Sequence, residues 1–445
     1  MKSLYLHIQF TKCIAIACLA FGLNASAVES AGAMLTALAG ASPEAGTVLV
    51  QPDGQIIVYG TSGQEVEDFD QFLIRLRPDG SVDSSFGQQG VVKNDFGGVD
   101  IARQALLQPD GKILTLCFSE TASYVSRYVI SRYNPDGSQD ASFGKKGQVL
   151  LELISSGSPV GFALLPNGEL LVAGDITLNQ PGGDFKYAFM LVRFKPDGKL
   201  DTAYGNEGRV VFEPASPHVF AHTMHLQPDG KVIMAGLDFP TGGRFDPVKT
   251  FMVLARFLPD GRLDPEFGEA GVVQRDFTQP ALDALAVRSL PDGQLLVAGT
   301  VFDERFGGFG VLRLKANGLT DPTFGTKGLA LAPFGKSIPE PLKPQGFDLQ
   351  ADGKLILVGD VELEEGRKIG VTRLLSTGAL DVSFAKKGVQ ITSLESQYTA
   401  VNAVTMQADG KIVVAGDAYR GEGQLLAVVR YLPDGSPDPA FGGLR

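Results

Sequence analysis

Residues 105–114 read Ala-Leu-Leu-Gln-Pro-Asp-Gly-Lys-Ile-Leu, two short apolar runs flanking a Pro-Asp-Gly turn. Proline presets φ for the first turn position, aspartate suits the second, and glycine takes the left-handed conformation that reverses the chain. The stretch predicts a β-hairpin. Moving outward, the same turn recurs with its glycine at Gly54, Gly111, Gly168, Gly230, Gly293, Gly353 and Gly410. A second such turn follows in each unit, at Gly80, Gly137, Gly198, Gly261, Gly318, Gly378 and Gly435. Six residues later comes an aromatic: Phe86, Phe143, Tyr204, Phe267, Phe324, Phe384 and Phe441.

Two hairpin turns per unit give four short strands in an up-and-down meander. No stretch after the leader sustains a 3.6-residue apolar period, so the fold is expected to be all-β with no helix. A lone meander of 57 to 63 residues leaves two apolar faces exposed. Seven set radially bury each face against a neighbour, which predicts a seven-bladed β-propeller of four-stranded antiparallel blades. The seventh unit stops at Phe441-Gly442-Gly443-Leu444-Arg445, before a fourth strand could finish. Gly32-Ala33-Met34-Leu35-Thr36 stands 22 residues ahead of Gly54, much as Gly90-Val91-Val92 stands 21 ahead of Gly111. An N-terminal strand at about 32–38 is therefore predicted to complete the last blade and close the ring.

A charge pair recurs around the second turn, arginine five residues before its glycine and aspartate three after. The pairs are Arg75 and Asp83, Arg132 and Asp140, Arg193 and Asp201, Arg256 and Asp264, Arg313 and Asp321, Arg373 and Asp381, and Arg430 and Asp438. The turn sets each pair directly opposite across two strands, where identical repetition points to a structural clamp.

The repeated Gln-Pro-Asp-Gly-Lys-Ile, Arg-Tyr-x-Pro-Asp-Gly-Ser-x-Asp and Phe-Gly-x-x-Gly resemble the delta-60 repeat of bacterial secreted and surface proteins, and more distantly NHL-type propeller repeats. The resemblance covers residues 32–445 and implies a propeller without implying catalytic residues. Departures are local: Asn167 and Asn317 replace aspartate, Ser376-Thr377 replaces Pro-Asp, and Ala385 replaces a glycine.

Lys2 and Lys12, an apolar run from Cys13 to Leu23, and Ala25-Ser26-Ala27 read as a secretory signal over residues 1–27. The eleven apolar residues are too few to span a bilayer, so a single exported propeller over 28–445 is expected, periplasmic or extracellular and monomeric. Cys117 is then the sole cysteine, with no intrachain disulfide to form. With 39 basic and 50 acidic residues the net charge is −11, which argues against nucleic acid as a partner.

Differences between units mark the candidate binding face. Units three and four carry extra length at Asp175 to Lys186 and Leu237 to Lys249, on the rim opposite the invariant turns, and the proline-rich run from Pro333 to Phe347 is also long. Irregular loops on one rim are where repeat folds place recognition; Tyr187, Phe239, Arg244 and Phe245 are the candidate contacts there. His225, Arg288 and Asp348 share one position in successive blades, five before the first-turn glycine, and with His222 could form a polar cluster near the channel. His222 and His225 have opposite strand parity, and no cysteine or acidic cluster joins them in sequence. No metal or cofactor is expected. Hydrolase elbows, P-loops and dinucleotide fingerprints are absent from the sequence. The reading is a scaffold that binds a protein or small-molecule ligand at the irregular rim and channel mouth. The alternatives are a propeller hydrolase or lyase and a structural envelope component.

Overall fold

A computed structural model describes residues 32–442, apart from 39–41, 64–68, 122, 124, 154–155, 181–184, 240–250, 277–280, 304–305, 334–343, 364–365, 395, 397 and 422. The leader expected at 1–27, and Arg244 and Phe245, lie outside the described residues. Strand β1 (Ala33–Thr36) comes first. Blade one is β2 (Ser42–Val50), β3 (Ile56–Gly63), β4 (Asp70–Leu76) and β5 (Val91–Asn94). Blade two is β6 (Val99–Leu107), β7 (Ile113–Glu120), β8 (Ser126–Tyr133) and β9 (Gln148–Glu152). Blade three is β10 (Pro159–Leu164), β11 (Leu170–Asn179), β12 (Phe185–Phe194) and β13 (Arg209–Phe212). Blade four is β14 (Val219–Leu226), β15 (Val232–Asp238), β16 (Phe251–Phe257) and β17 (Val272–Asp276). Blade five is β18 (Ala281–Ser289), β19 (Leu295–Asp303), β20 (Phe306–Leu314) and β21 (Leu329–Pro333). Blade six is β22 (Pro344–Leu349), β23 (Leu355–Leu363), β24 (Gly366–Leu374) and β25 (Val389–Thr392). Blade seven has β26 (Tyr398–Met406), β27 (Ile412–Arg420) and β28 (Gly423–Tyr431), and takes β1 as its fourth strand, in the order β1-β28-β27-β26.

All seven sheets are four-stranded and antiparallel, and the described residues contain no helix. Every turn glycine sits in the left-handed region, at φ between 80° and 90°. At Gly111 the amide donates to the Gln108 carbonyl at 2.9 Å, while Asp110 Oδ1 accepts from the Lys112 amide at 3.1 Å. The turn is thus held by backbone and side chain together. Where Ser376-Thr377 replaces Pro-Asp the backbone bond survives, Gly378 to Leu375 at 2.8 Å, but the side-chain bond lengthens to 3.4 Å.

The core lies between blades. Ile57, Tyr59, Leu73 and Phe86 of the first blade pack with Ala105, Ile113 and Tyr133 of the second. The same wedge joins Val413, Ala415, Leu426 and Phe441 of the last blade to Ile56, Val58, Phe72 and Ile74 of the first. Each such side chain contributes about 1.5–3 kcal/mol on full burial, so no blade can give up its neighbour.

The ring closes at its seam as it does elsewhere. Ala33 pairs with Val429 and Thr36 with Leu426, the Gly32 carbonyl accepts from the Arg430 amide at 2.8 Å, and the Gly442 amide donates to Asp79 of blade one at 2.9 Å.

In every blade the arginine donates through Nε to Oδ2 of its aspartate at 2.7–2.9 Å. Its guanidinium lies 4.4–4.7 Å over the aromatic six residues past the turn. Nη1 then reaches a carbonyl in the next blade's second turn, for example Pro135 from Arg75 at 2.5 Å and Pro196 from Arg132 at 2.8 Å. One side chain therefore ties two strands, an aromatic and the adjoining blade.

The extra length in unit three is mostly strand. β11 and β12 pair all the way from Leu170 and Phe194 out to Asn179 and Phe185. Ile176, Thr177, Leu178, Phe185 and Tyr187 favour extended, paired backbone, so the insertion lengthens a hairpin where the sequence reading placed an irregular loop.

Candidate functional site

A β-bulge in the innermost strand of each blade shapes the axial channel. The ladder to the next strand slips by one residue at Gly46, Arg103, Val160, His222, Leu285, Gln345 and Asn402, each eight residues before the first-turn glycine. A bulge leaves its extra residue outside the ladder and re-aims the side chain. Gly46, Arg103, Val160 and Leu285, together with Arg288, line a cavity of about 240 Å³ to which all seven blades contribute.

Neighbouring inner strands are linked by side chains that accept freed amides. Thr61 Oγ1 accepts from the Ala102 amide at 2.9 Å, Asp360 Oδ1 from Val401 at 2.8 Å, and Gln104 Oε1 from Phe162 at 2.8 Å. Backbone groups near the bulges thus find partners in the adjoining blade.

Arg103 stands out in this ring. The residue is exposed to the channel, and its guanidinium makes no hydrogen bond or ion pair with the described residues. The surrounding channel wall lowers its pKa from the ordinary arginine value by desolvation, against the carboxylate of Asp175. Asp175 is itself only 8 % exposed, with Oδ1 accepting from the Ser158 amide at 2.8 Å. Burial raises its pKa to about 6, while Ser158, His222 and Arg103 pull downward.

Two further aspartates occupy the same strand position in other blades. Burial pushes Asp360 to about 6 against the bond from Val401 and the charge of Arg367. Burial, followed by the negative charge of Glu44, pushes Asp417 to about 8, although Asn402 Nδ2 donates to it at 3.0 Å. At neutral pH Asp417 is mainly protonated, while Asp175 and Asp360, at about 6, titrate below it.

The polar position expected from sequence lies three residues further along the inner strands, away from the bulges. Arg288 Nε is 4.0 Å from Asp348 Oδ1, and Arg288 also donates to the carbonyls of Val287 and Phe347 at 3.0 and 3.2 Å. His225 Nε2 accepts the Ser289 amide at 3.0 Å and lies 2.9 Å from the Ser289 hydroxyl. A ring nitrogen that accepts an amide must be unprotonated; burial and then the positive charge of Arg288 bring His225 down to about 4. His225, Arg288 and Asp348 are thus joined blade to blade, whereas His222 belongs to the bulge ring beside Asp175.

On the outer rim, Tyr187 is buried at 7 % exposure, its ring centroid 4.0 Å from Phe220 and 5.5 Å from Phe185. Phe220 in turn meets Phe239 at 5.7 Å. Tyr187 and Phe239 therefore cap the seam between blades three and four, and the exposed ring is Phe185, 45 % accessible. Cys117 takes a strand position held by glycine in the other units and is fully buried, its thiol held protonated by desolvation and then by Asp100.

Arg103, Asp175, Asp360 and Asp417 escaped the sequence reading. The available signal was their variability: at eight before the turn glycine the units read Gly, Arg, Val, His, Leu, Gln and Asn, in a text that otherwise repeats.

The fold is thus a ring of seven four-stranded meander blades whose inner strands differ in chemistry. The family model described as a domain of unknown function (DUF5122) beta-propeller matches seven times, at residues 51–86, 108–143, 165–204, 227–267, 290–324, 350–384 and 407–441, more than half the chain. The protein belongs to this β-propeller family. No curated protein matches it. Among solved structures it is similar to a catalytically inactive virginiamycin B lyase from Staphylococcus aureus with quinupristin, at 13 % identity and TM-score 0.44 over 89 % of this chain and 98 % of that one. It is similar also to a protein of unknown function from Dyadobacter fermentans, at 12 % identity and TM-score 0.45, covering 88 % and 94 %. The polysaccharide lyase Uly1 gives 12 % identity and TM-score 0.46, covering 86 % and 89 %. At such identities the likeness concerns shape and says nothing of chemistry.

Proposed function

We propose that the protein is a binding module that takes a small anionic ligand into the axial channel, with Arg103 as its anchor and entry from the irregular rim. The observation that supports this is the unpaired Arg103 guanidinium in a cavity of about 240 Å³. An arginine fork that faces a channel and has no partner among the described residues can grip a carboxylate, sulfate or phosphate group bidentately. Asp417, its pKa raised to about 8, is mainly neutral at pH 7 and does not repel such a ligand, whereas Asp175 and Asp360, at about 6, lose their charge only in mild acid, so binding should strengthen below pH 6. Export through the N-terminal leader belongs to the same proposal and would place the module outside the cytoplasm.

The test is thermal unfolding and calorimetric titration with sulfate, phosphate and acetate at matched ionic strength. A saturable stabilisation in the native protein that vanishes in Arg103→Gln supports the reading; equal responses in the two proteins oppose it.

One observation favours the alternative of a hydrolase or lyase: Asp175, poised near pH 6, shares its surroundings with His222 and Arg103. Turnover of a screened glycan or ester that is lost in His222→Ala, with anion binding kept, would select that alternative.

A further inference from the structure

Away from the channel, the seam between blades one and two gathers three carboxylates on the irregular rim. Asp70 opens β4, Asp95 follows β5, and Asp100 lies in β6. One carboxylate oxygen from each lies within 4.8 Å of the others. Two ligands of a single Ca²⁺ at about 2.4 Å can be no more than about 4.8 Å apart, so this spacing suits one ion.

The independent observation is Asp100. The residue is fully buried at 0 % exposure, and among the described residues its Oδ1 has no hydrogen bond of good geometry, the Ser119 hydroxyl being the side-chain donor beside the carboxylate. Its other oxygen, Oδ2, accepts the Phe96 amide at 2.6 Å. The nearby Ser119 hydroxyl accepts from Arg127 Nη2 at 3.0 Å, and the same nitrogen donates to the Phe96 carbonyl at 2.7 Å. A buried carboxylate oxygen left bare is costly unless something cationic meets it. Three carboxylates converge here beside the guanidinium of Arg127, and a divalent cation would offset their mutual repulsion.

The arrangement belongs to this seam alone. Where blade two has Asp100 the other units have Pro43, Gly157, Val219, Leu282, Leu342 and Thr399. Where blade one has Asp70 they have Arg127, Ala188, Phe251, Gly308, Lys368 and Leu425. A clamp needed by the fold would repeat; this one does not.

We propose that Asp70, Asp95 and Asp100 bind one calcium ion at the rim between the first two blades. All-oxygen ligation by carboxylates, with room for water beside the exposed Asp95, favours Ca²⁺ over Mg²⁺, whose shorter bonds require a tighter and more regular cage. The ion would fix the β5–β6 loop against the start of β4.

The experiment is calorimetric titration and thermal unfolding of the full chain, stripped with EDTA, against CaCl₂ and MgCl₂. The expected result is one Ca²⁺ per chain with a higher melting temperature, and binding of Mg²⁺ at least about tenfold weaker. Asp95 is exposed, so Asp95→Asn should fold normally and lower calcium affinity by at least about tenfold. Asp100→Asn should abolish binding, and Arg103→Gln should leave it intact, which separates this site from the channel. No saturable calcium response up to about 5 mM, or a response unchanged in Asp95→Asn, would overturn the proposal.

Discussion

In the last blade, Arg430 Nη1 donates a 2.5 Å hydrogen bond to the carbonyl oxygen of Pro78 in the first, 352 residues away in the chain. The same guanidinium binds Asp438 at 2.8 Å with both side chains below 5 % exposure, and it lies 4.6 Å over Phe441. Removing it leaves a buried carboxylate held by Lys411 at 3.4 Å and the Ala440 amide at 3.0 Å, without its arginine. Arg430→Ala is expected to lower stability by about 3 kcal/mol in urea unfolding. The exposed Arg262–Asp260 pair is the control, and Arg262→Ala should leave the urea midpoint unchanged.

Ring closure also rests on β1. Deleting residues 28–40 removes the backbone ladder from Ala33 through Thr36 and the buried side chains of Ala33 and Leu35. A sharply lower melting temperature is expected, because β28 then becomes an open edge.

Stability should fall at both ends of the pH range, for opposite reasons. Burial pulls the clamp carboxyls upward, but hydrogen bonds and their arginines outweigh it and hold Asp83, Asp140, Asp264 and Asp438 below the usual carboxylate range. Their contribution is present above about pH 4 and is lost as acid protonates them. Asp175, Asp360 and Asp417 behave oppositely. Folded pKa values of about 6, 6 and 8 exceed the unfolded value, so the native state binds more protons between pH 4 and 8. Stability therefore declines as pH rises through that window. Asp417→Asn should raise the melting temperature at pH 8.5 and change it little at pH 5, as a pH series of unfolding curves will read.

Backbone strain at one repeat offers a stabilising change. Ala385 sits at φ 45°, where Gly87, Gly144, Gly205, Gly268 and Gly325 hold the equivalent position at 52–57°. A left-handed alanine costs about 1–2 kcal/mol, offset in part by the freedom glycine adds to the unfolded chain. Ala385→Gly is expected to gain about 0.5 kcal/mol. Gly325→Ala, whose Cβ would press on the Leu329 carbonyl, should lose at least about 1 kcal/mol.

What the sequence made legible was what it repeats. Turn glycines, clamp pairs and stacked aromatics recur at fixed spacing because every blade solves one packing problem, and the blade count and the closing strand followed from them. The site was legible only in part. His225, Arg288 and Asp348 share a register position, and Arg288 lies 4.0 Å from Asp348 while His225 bonds Ser289, but the bulge at His222 breaks the alternation from which side-chain direction is inferred. For the same reason nothing in the alternation pattern singled out Arg103. Asp70, Asp95 and Asp100 come from three strands of two blades, and only the curvature of the ring brings them together.

The central claim, that unlike residues at the axis of a seven-fold frame form an anion site, can be tested in a crystal. Crystals soaked in sodium bromide should show an anomalous peak within hydrogen-bonding distance of the Arg103 guanidinium, absent from Arg103→Gln crystals. Bromide on the outer surface with none in the channel would contradict the account.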